Sequence, residues 1–203
     1  MVIVVWVVQV LPATCKKTSC TMQVTPTDIL NFWFSEEVKP LWFNSTPEFD
    51  AHLKEKFGDV YQAALHGEFC DWQQSAEGCV ALVVILDQFP LNMYRGLPES
   101  FDGEVKARSI TKDAVNKGYD KQISNEQKAF LYMPLMHSEN IADQDLSVKL
   151  FEAAGLQENL RFAMHHRDIV QRFGRFPHRN KILGRPSTQA ELDYLASKDA
   201  FHG

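Results

Sequence analysis

From Thr25 onward, apolar residues recur at intervals of three and four, and each apolar stretch is preceded by a helix-start signal. Thr25-Pro26-Thr27-Asp28 sets a capping hydroxyl first, proline at the first helical position and an acid in the opening turn. The helix it predicts carries Ile29, Leu30, Trp33 and Phe34, with Lys39-Pro40 ending the segment. Thr46-Pro47-Glu48 repeats the signal, and Phe49, Leu53, Phe57, Val60 and Ala64 then mark an amphipathic helix of about five turns. Ser75 to Gln88 is the most apolar run. Its β-branched residues suit a buried strand, but helices flank it on both sides, so it reads as the central helix of a bundle, stopped by Phe89-Pro90 and followed by a loop from Asn92 to Gly96.

Further helices are predicted from about Phe101 to Lys117, closed by Gly118, and from a capping box at Ser124-Asn125-Glu126-Gln127 through Tyr132, disturbed by Pro134. Glu139 to Ala154 and Gln157 to Phe173 follow, closed by Gly155 and Gly174, and Thr188-Gln189-Ala190-Glu191 is a second capping box opening a terminal helix. No hairpin or βαβ pattern occurs after Met22. The fold class is therefore all-α, a single domain over residues 22–203 with about seven antiparallel helices in a bundle or a solenoid-like stack.

Composition changes this picture only at the edges. At 203 residues the chain suits one core, and a net charge of −5 with pI ≈ 5.8 argues against a general nucleic-acid or anionic-membrane binder. Residues 1–21, beginning MVIVVWVVQVL, are shorter than a membrane span and lack a basic leader, so they read as an extension outside the fold or an over-called start; a weak targeting or anchoring sequence is the alternative. Cys15, Cys20, Cys70 and Cys79 form no metal-binding or redox spacing and read as reduced thiols of a cytoplasmic protein.

Three stretches set polar residues into apolar surroundings. In the first, Asp87 and Gln88 end the buried helix, where the helix dipole disfavours an acid, so a cation is expected opposite: Arg95, or an arginine from the stretch His165 to Arg185. In the second, Ser138 reads as the cap of the following helix with Glu139 in its first turn. His137 then precedes a helix N-terminus, whose positive end lowers its pKa. The third is His165 to Arg185. On its helix, Arg161, His165, Asp168 and Arg172 share one face, while Phe162, His166, Ile169 and Phe173 follow a more apolar one. Arg175, His178, Arg179, Lys181 and Arg185 come after it. Clustered guanidinium groups either bind an anion bidentately or neutralise acids such as Asp87, Glu139, Asp143 and Asp145; internal pairing is expected for most, with one or two arginines facing a cleft.

The motifs LDQFPLNMYRG, FLYMPLMHSE with ADQDLSV, and HRDIVQRFGRFPHRNKILGRPST, together with DILNFWF, resemble the mainly bacterial family catalogued as domain of unknown function 924 over about Thr25 to Leu195. The resemblance implies a tetratricopeptide-like all-α fold and no established activity; Leu91 stands where family members tend to carry arginine. The function expected is binding of a small anionic ligand, phosphate or carboxylate, in a polar cleft, with chemistry on it possible in principle. His137 and His178 are the candidate acid–base residues. Asp87, Gln88, Arg95, Glu139, His166, Arg172, Arg175 and Arg179 are the candidate ligand-binding residues. A metal site from His137, Glu139, His166 and His178 is disfavoured because the ligands come from separate segments with no HExxH or ExxH pair, and no cofactor is expected. The alternative is a tetratricopeptide-like module that holds a peptide partner without catalysis.

Overall fold

Three capping boxes and three further side-chain caps set where helices begin. Thr25, Ser124 and Thr188 each accept the backbone N–H three residues on, while the side chain there returns a bond to the cap backbone. The computed structural model describes residues 24–202, so the expectation for residues 1–21 lies outside the described residues. Within that range the chain is all-α, with about eight helices and no strand. They are α1 (Pro26–Trp33), α2 (Pro47–His66), α3 (Ala76–Val83), α4 (Phe89–Met93), α5 (Glu104–Asn116), α6 (Asn125–Met136), α7 (Ile141–Ala153), α8 (Gln157–Phe173) and α9 (Gln189–Leu195), with α3 and α4 forming one rod.

That rod is the centre of the molecule. Helix α3 packs against α1, α5 and α6, and α4 against α2. The stretch Ala76–Met93 is long and apolar enough to cross a membrane, but 89% of it is buried inside the fold. Trp33, Phe89, Phe130, Leu131 and Phe151 fill the core around it, each almost wholly removed from water and contributing roughly 1.5–3 kcal/mol. Helices α6, α7 and α8 then pack in succession, and a smaller cluster of Ile169, Val170, Phe176 and Tyr194 closes the carboxyl-terminal end.

The structure corrects the sequence reading at five places in the fold. Pro90 does not stop the central helix. It has no N–H for the carbonyl of Leu86 four residues back, and its ring crowds that carbonyl, so the helix widens into a π turn at Val84–Gln88 and continues to Met93. The N–H of Phe89 bonds the Val84 carbonyl, five back. Pro134 likewise lies inside α6 without ending it, and α1 ends at Trp33, well before Lys39-Pro40. Asn140, not Ser138, caps α7. Finally, Cys79 is free and buried, but Cys70 is disulfide-bonded, so the expectation of reduced thiols fails there.

A buried imidazole–arginine centre

The π turn places Asp87 and Gln88 side by side, 2% and 4% exposed, with Gln88 Nε2 donating to Asp87 Oδ2 at 2.6 Å. The expected cation opposite Asp87 is an imidazole, not an arginine: His137 Nδ1 donates to Asp87 Oδ1 at 3.0 Å. Arg95 bonds Asp50, Ser45 and Asn92 at the surface instead of Asp87. His137 is the C-cap of α6, so it faces the negative end of a helix and not the positive end expected from sequence. Burial alone would push its pKa down, but Asp87 and then Glu104 more than offset this, and it lies above its ordinary value.

Helix α8 contributes His166, 5% exposed as its apolar-face position predicts, although Phe162 on the same expected face is exposed. Its Nδ1–H donates to the carbonyl of Phe162 at 2.8 Å. Burial, reinforced by the neighbouring imidazoles His137, His165 and His178, holds it neutral with a pKa of about 3. The left-handed stop at Gly174 (φ 70°), whose N–H bonds the Val170 carbonyl, turns the chain back, and a 3₁₀ turn at Pro177–Arg179 brings His178 and Arg179 to the same centre. His178 is kept neutral at about 4, by burial and by the charge of Arg179. Arg179, 6% exposed, lies against the rings of Phe101 and Phe176, at 4.5 and 4.8 Å, and its Nη1 forms an ion pair with Glu104 Oε1 at 2.9 Å. Burial raises the pKa of Glu104, against the pull of Arg179 and His137.

A frame of ion pairs surrounds these groups. Arg185 grips Glu139 with both terminal nitrogens, at 2.6 and 2.8 Å, and Glu139 also accepts the N–H of Phe176 at 2.8 Å. Burial opposes ionisation of Glu139, but the Arg185 bonds and that amide prevail and lower its pKa. Asp143 takes Arg108, Lys112 and the hydroxyl of Ser138, and Arg167 takes Asp145. Internal pairing therefore absorbs most of the basic stretch. Phe201 covers the imidazoles from above: its ring lies 4.4 Å from that of His166 and 5.1 Å from that of His178, and its N–H donates to Tyr194 Oη at 2.9 Å.

Of the ten candidate site residues, the fold brings Asp87, Gln88, His137, Glu139, His166, His178 and Arg179 together. Arg95, Arg172 and Arg175 stand apart. Arg172 lies over the rings of Phe173 and Tyr194, and with Arg175 it lines an open depression of about 470 Å³ that contains no imidazole. The sequence reading missed Glu104, Phe101 and Phe201. Glu104 and Phe101 sit in ordinary helix-start surroundings that give no sign of chemistry, and Phe201 follows the last periodic segment. Among the described residues, no group of three or more His, Cys, Asp or Glu is arranged to hold a metal ion.

Arg175 is engaged by Glu191, which accepts its Nε and Nη2 at 2.6 and 2.9 Å and also the N–H of Thr188 at 2.7 Å. The Arg175 bonds, with the Thr188 amide behind them, hold the Glu191 carboxyl at about 2. Because the folded pKa lies below the ordinary 4.5, this contribution to stability is complete above pH 4.5 and is lost as pH falls toward 2, at up to about 1.4 kcal/mol per unit. Arg175→Ala should raise the Glu191 pKa by at least one unit in a carboxyl NMR titration. An unchanged value would assign the effect to the Thr188 amide.

The fold and the centre define a class: an all-helical protein whose axial rod carries a π turn that delivers an Asp–His pair into a cluster of neutral imidazoles and a clamped arginine. More particularly, the chain belongs to the family described as bacterial protein of unknown function, domain of unknown function 924, whose model matches residues 29–199. It is similar to the solved structure of a protein of unknown function, ATU0120 from Agrobacterium tumefaciens, at 38% identity and a TM-score of 0.80, over 84% of this chain and 96% of that one. No curated protein matches the chain.

Proposed function

We propose that the centre binds a small anionic ligand and that His137 exchanges a proton with it. The observation that carries this reading is the Asp87–His137 bond at the π turn. It fixes Nδ1 of His137 as a donor and leaves Nε2 with no protein hydrogen bond among the described residues, which is the arrangement an acid–base imidazole needs. The environments also separate the titrations: His137 is raised, while His166 at about 3 and His178 at about 4 stay neutral. Groups pushed apart in this way can serve as acid and as neutral donor at one pH. A buried charge pair that merely pins two helices is the plainer use of the same bond. It gives no role to His178, whose buried Nδ1 has no partner.

The second reading, a peptide-holding module, draws on the succession of α6, α7 and α8, each packed on the next. We propose a tetratricopeptide-like stacking for that run. It is compatible with a ligand site, since fold does not fix function.

The test is a thermal-shift series on the full chain with acetate, succinate, inorganic phosphate and acidic peptides, repeated on His137→Gln. Saturating ligand, about a hundredfold above its dissociation constant, stabilises by about 2.7 kcal/mol. We expect one class of small anion to raise the midpoint of the wild type, with a weaker and pH-independent effect on the variant. Binding of peptides alone would replace this reading with the module.

A further inference from the structure

We propose that the Nε–Nη2 edge of Arg179, packed against the rings of Phe101 and Phe176, is the recognition element for a small monocarboxylate. This rests on the ligand-site reading above and narrows it to a chemical class and an anchoring edge.

Three arginines of the same stretch provide the comparison. Arg175 presents Nε and Nη2 to Glu191, and Arg185 presents Nη1 and Nη2 to Glu139; both forks are filled by a carboxylate. Arg179 alone of the three spends only Nη1, on Glu104. Its Nε is buried without a partner, and Nη2 makes no hydrogen bond among the described residues. A buried donor left unsatisfied costs about 1–3 kcal/mol, more on a charged group, so a fork held this way is a place for an acceptor. The site is built: the side chain is 6% exposed, its guanidinium carbon lies 4.5 Å from the Phe101 ring and 4.8 Å from the Phe176 ring, and its turn is fixed by Arg179 N–H on the carbonyl of Phe176 at 3.1 Å.

Shape and charge choose the guest. With Phe101 and Phe176 packed on the guanidinium and Nη1 taken by Glu104, the donors left for a guest are those of the Nε–Nη2 edge. A carboxylate is planar and meets this edge with two parallel bonds, as Glu191 does on Arg175. A tetrahedral phosphate or sulfate carries further oxygens out of that plane, which the edge cannot bond. The carboxyls Asp87, Glu104 and Glu139 already surround the guanidinium groups of Arg179 and Arg185, with the imidazole of His137 on Asp87. A single added negative charge is tolerable there; a dianion would face three carboxylates at low dielectric.

The experiment titrates acetate and propionate, against inorganic phosphate and sulfate at matched ionic strength, into the full chain, following the midpoint of unfolding and the arginine side-chain N–H resonances. Saturable binding of the monocarboxylates, with a shift of the Arg179 Nε–H signal and little response to phosphate, is expected. Arg179→Lys keeps the charge for Glu104 and loses the fork; it should weaken carboxylate binding at least tenfold. If that variant does not fold, the wild-type Nε–H signal decides the question by itself. Phosphate binding that needs His137 but leaves Arg179 unmoved would overturn the carboxylate edge while sparing the ligand site. A response to none of the four anions would overturn both.

Discussion

Gly103→Ala loses about 3 kcal/mol of stability, or does not fold, although it adds a single methyl group. A Cβ on Gly103 would lie 2.0 Å from the carbonyl oxygen of Leu86 and 2.9 Å from its carbon. Overpacking typically costs about 1–3 kcal/mol where side chains can yield. Here the obstacle is backbone, and it belongs to the π turn. The same carbonyl has been denied its usual donor by Pro90 and cannot retreat without closing the turn that sets Asp87. The loss should therefore be accompanied by separation of the Asp87–His137 pair. Chemical denaturation of the variant measures the first effect, and the His137 imidazole resonances, which should fall toward an ordinary pKa, measure the second. A variant as stable as the wild type would show that the π turn is not braced from Gly103.

Phe176→Ala costs about 3–5 kcal/mol, the usual range for emptying a fully buried aromatic site. Its effect on the centre is more diagnostic than its effect on stability. The Phe176 ring stacks on Arg179 and lies 5.5 Å from that of His166 and 5.6 Å from that of His178. Removing it lets water reach both imidazoles, so the His166 pKa should climb from about 3, and the His178 pKa from about 4, toward the ordinary 6.5. The sign in stability follows. Both folded values lie below the unfolded one, so the wild-type fold weakens as pH falls through 6.5 toward 4, and this acid sensitivity should shrink in the variant. Histidine NMR titrations and denaturation at pH 7 and pH 5 check both parts. Imidazoles that still titrate near 3 and 4 would mean that other walls keep them dry.

Much of the fold was legible because its signals are local. Thr25, Ser124 and Thr188 cap helices through their own side chains and the residue three on, and Gly118 and Gly174 stop helices through their own φ, so sequence alone exposes them. His166 was legible as buried because a period of 3.6 assigns faces. The errors have non-local causes. Pro90 stops an isolated helix, but here the core contacts of Phe89 and Met93 outweigh one lost bond, and the helix absorbs the proline by widening. Asp87 was expected to meet an arginine, yet its partner is fixed by how α6 crosses the rod, which no spacing within one helix reveals. Glu104 claims Arg179 from a distant segment for the same reason.

The floor of the centre and its roof fall on opposite sides of the boundary of the family match. Asp87, His137, His166, His178 and Arg179 all fall within the region shared with the family, whereas Phe201, the ring laid across the imidazoles, lies beyond it. The roof hangs from the body by one backbone bond to Tyr194 and by ring contacts. It also packs on the cluster of Ile169, Val170, Phe176 and Tyr194. A substitution at position 201 would therefore change the cover over the two imidazoles while leaving His166, His178 and Arg179 where the family region sets them.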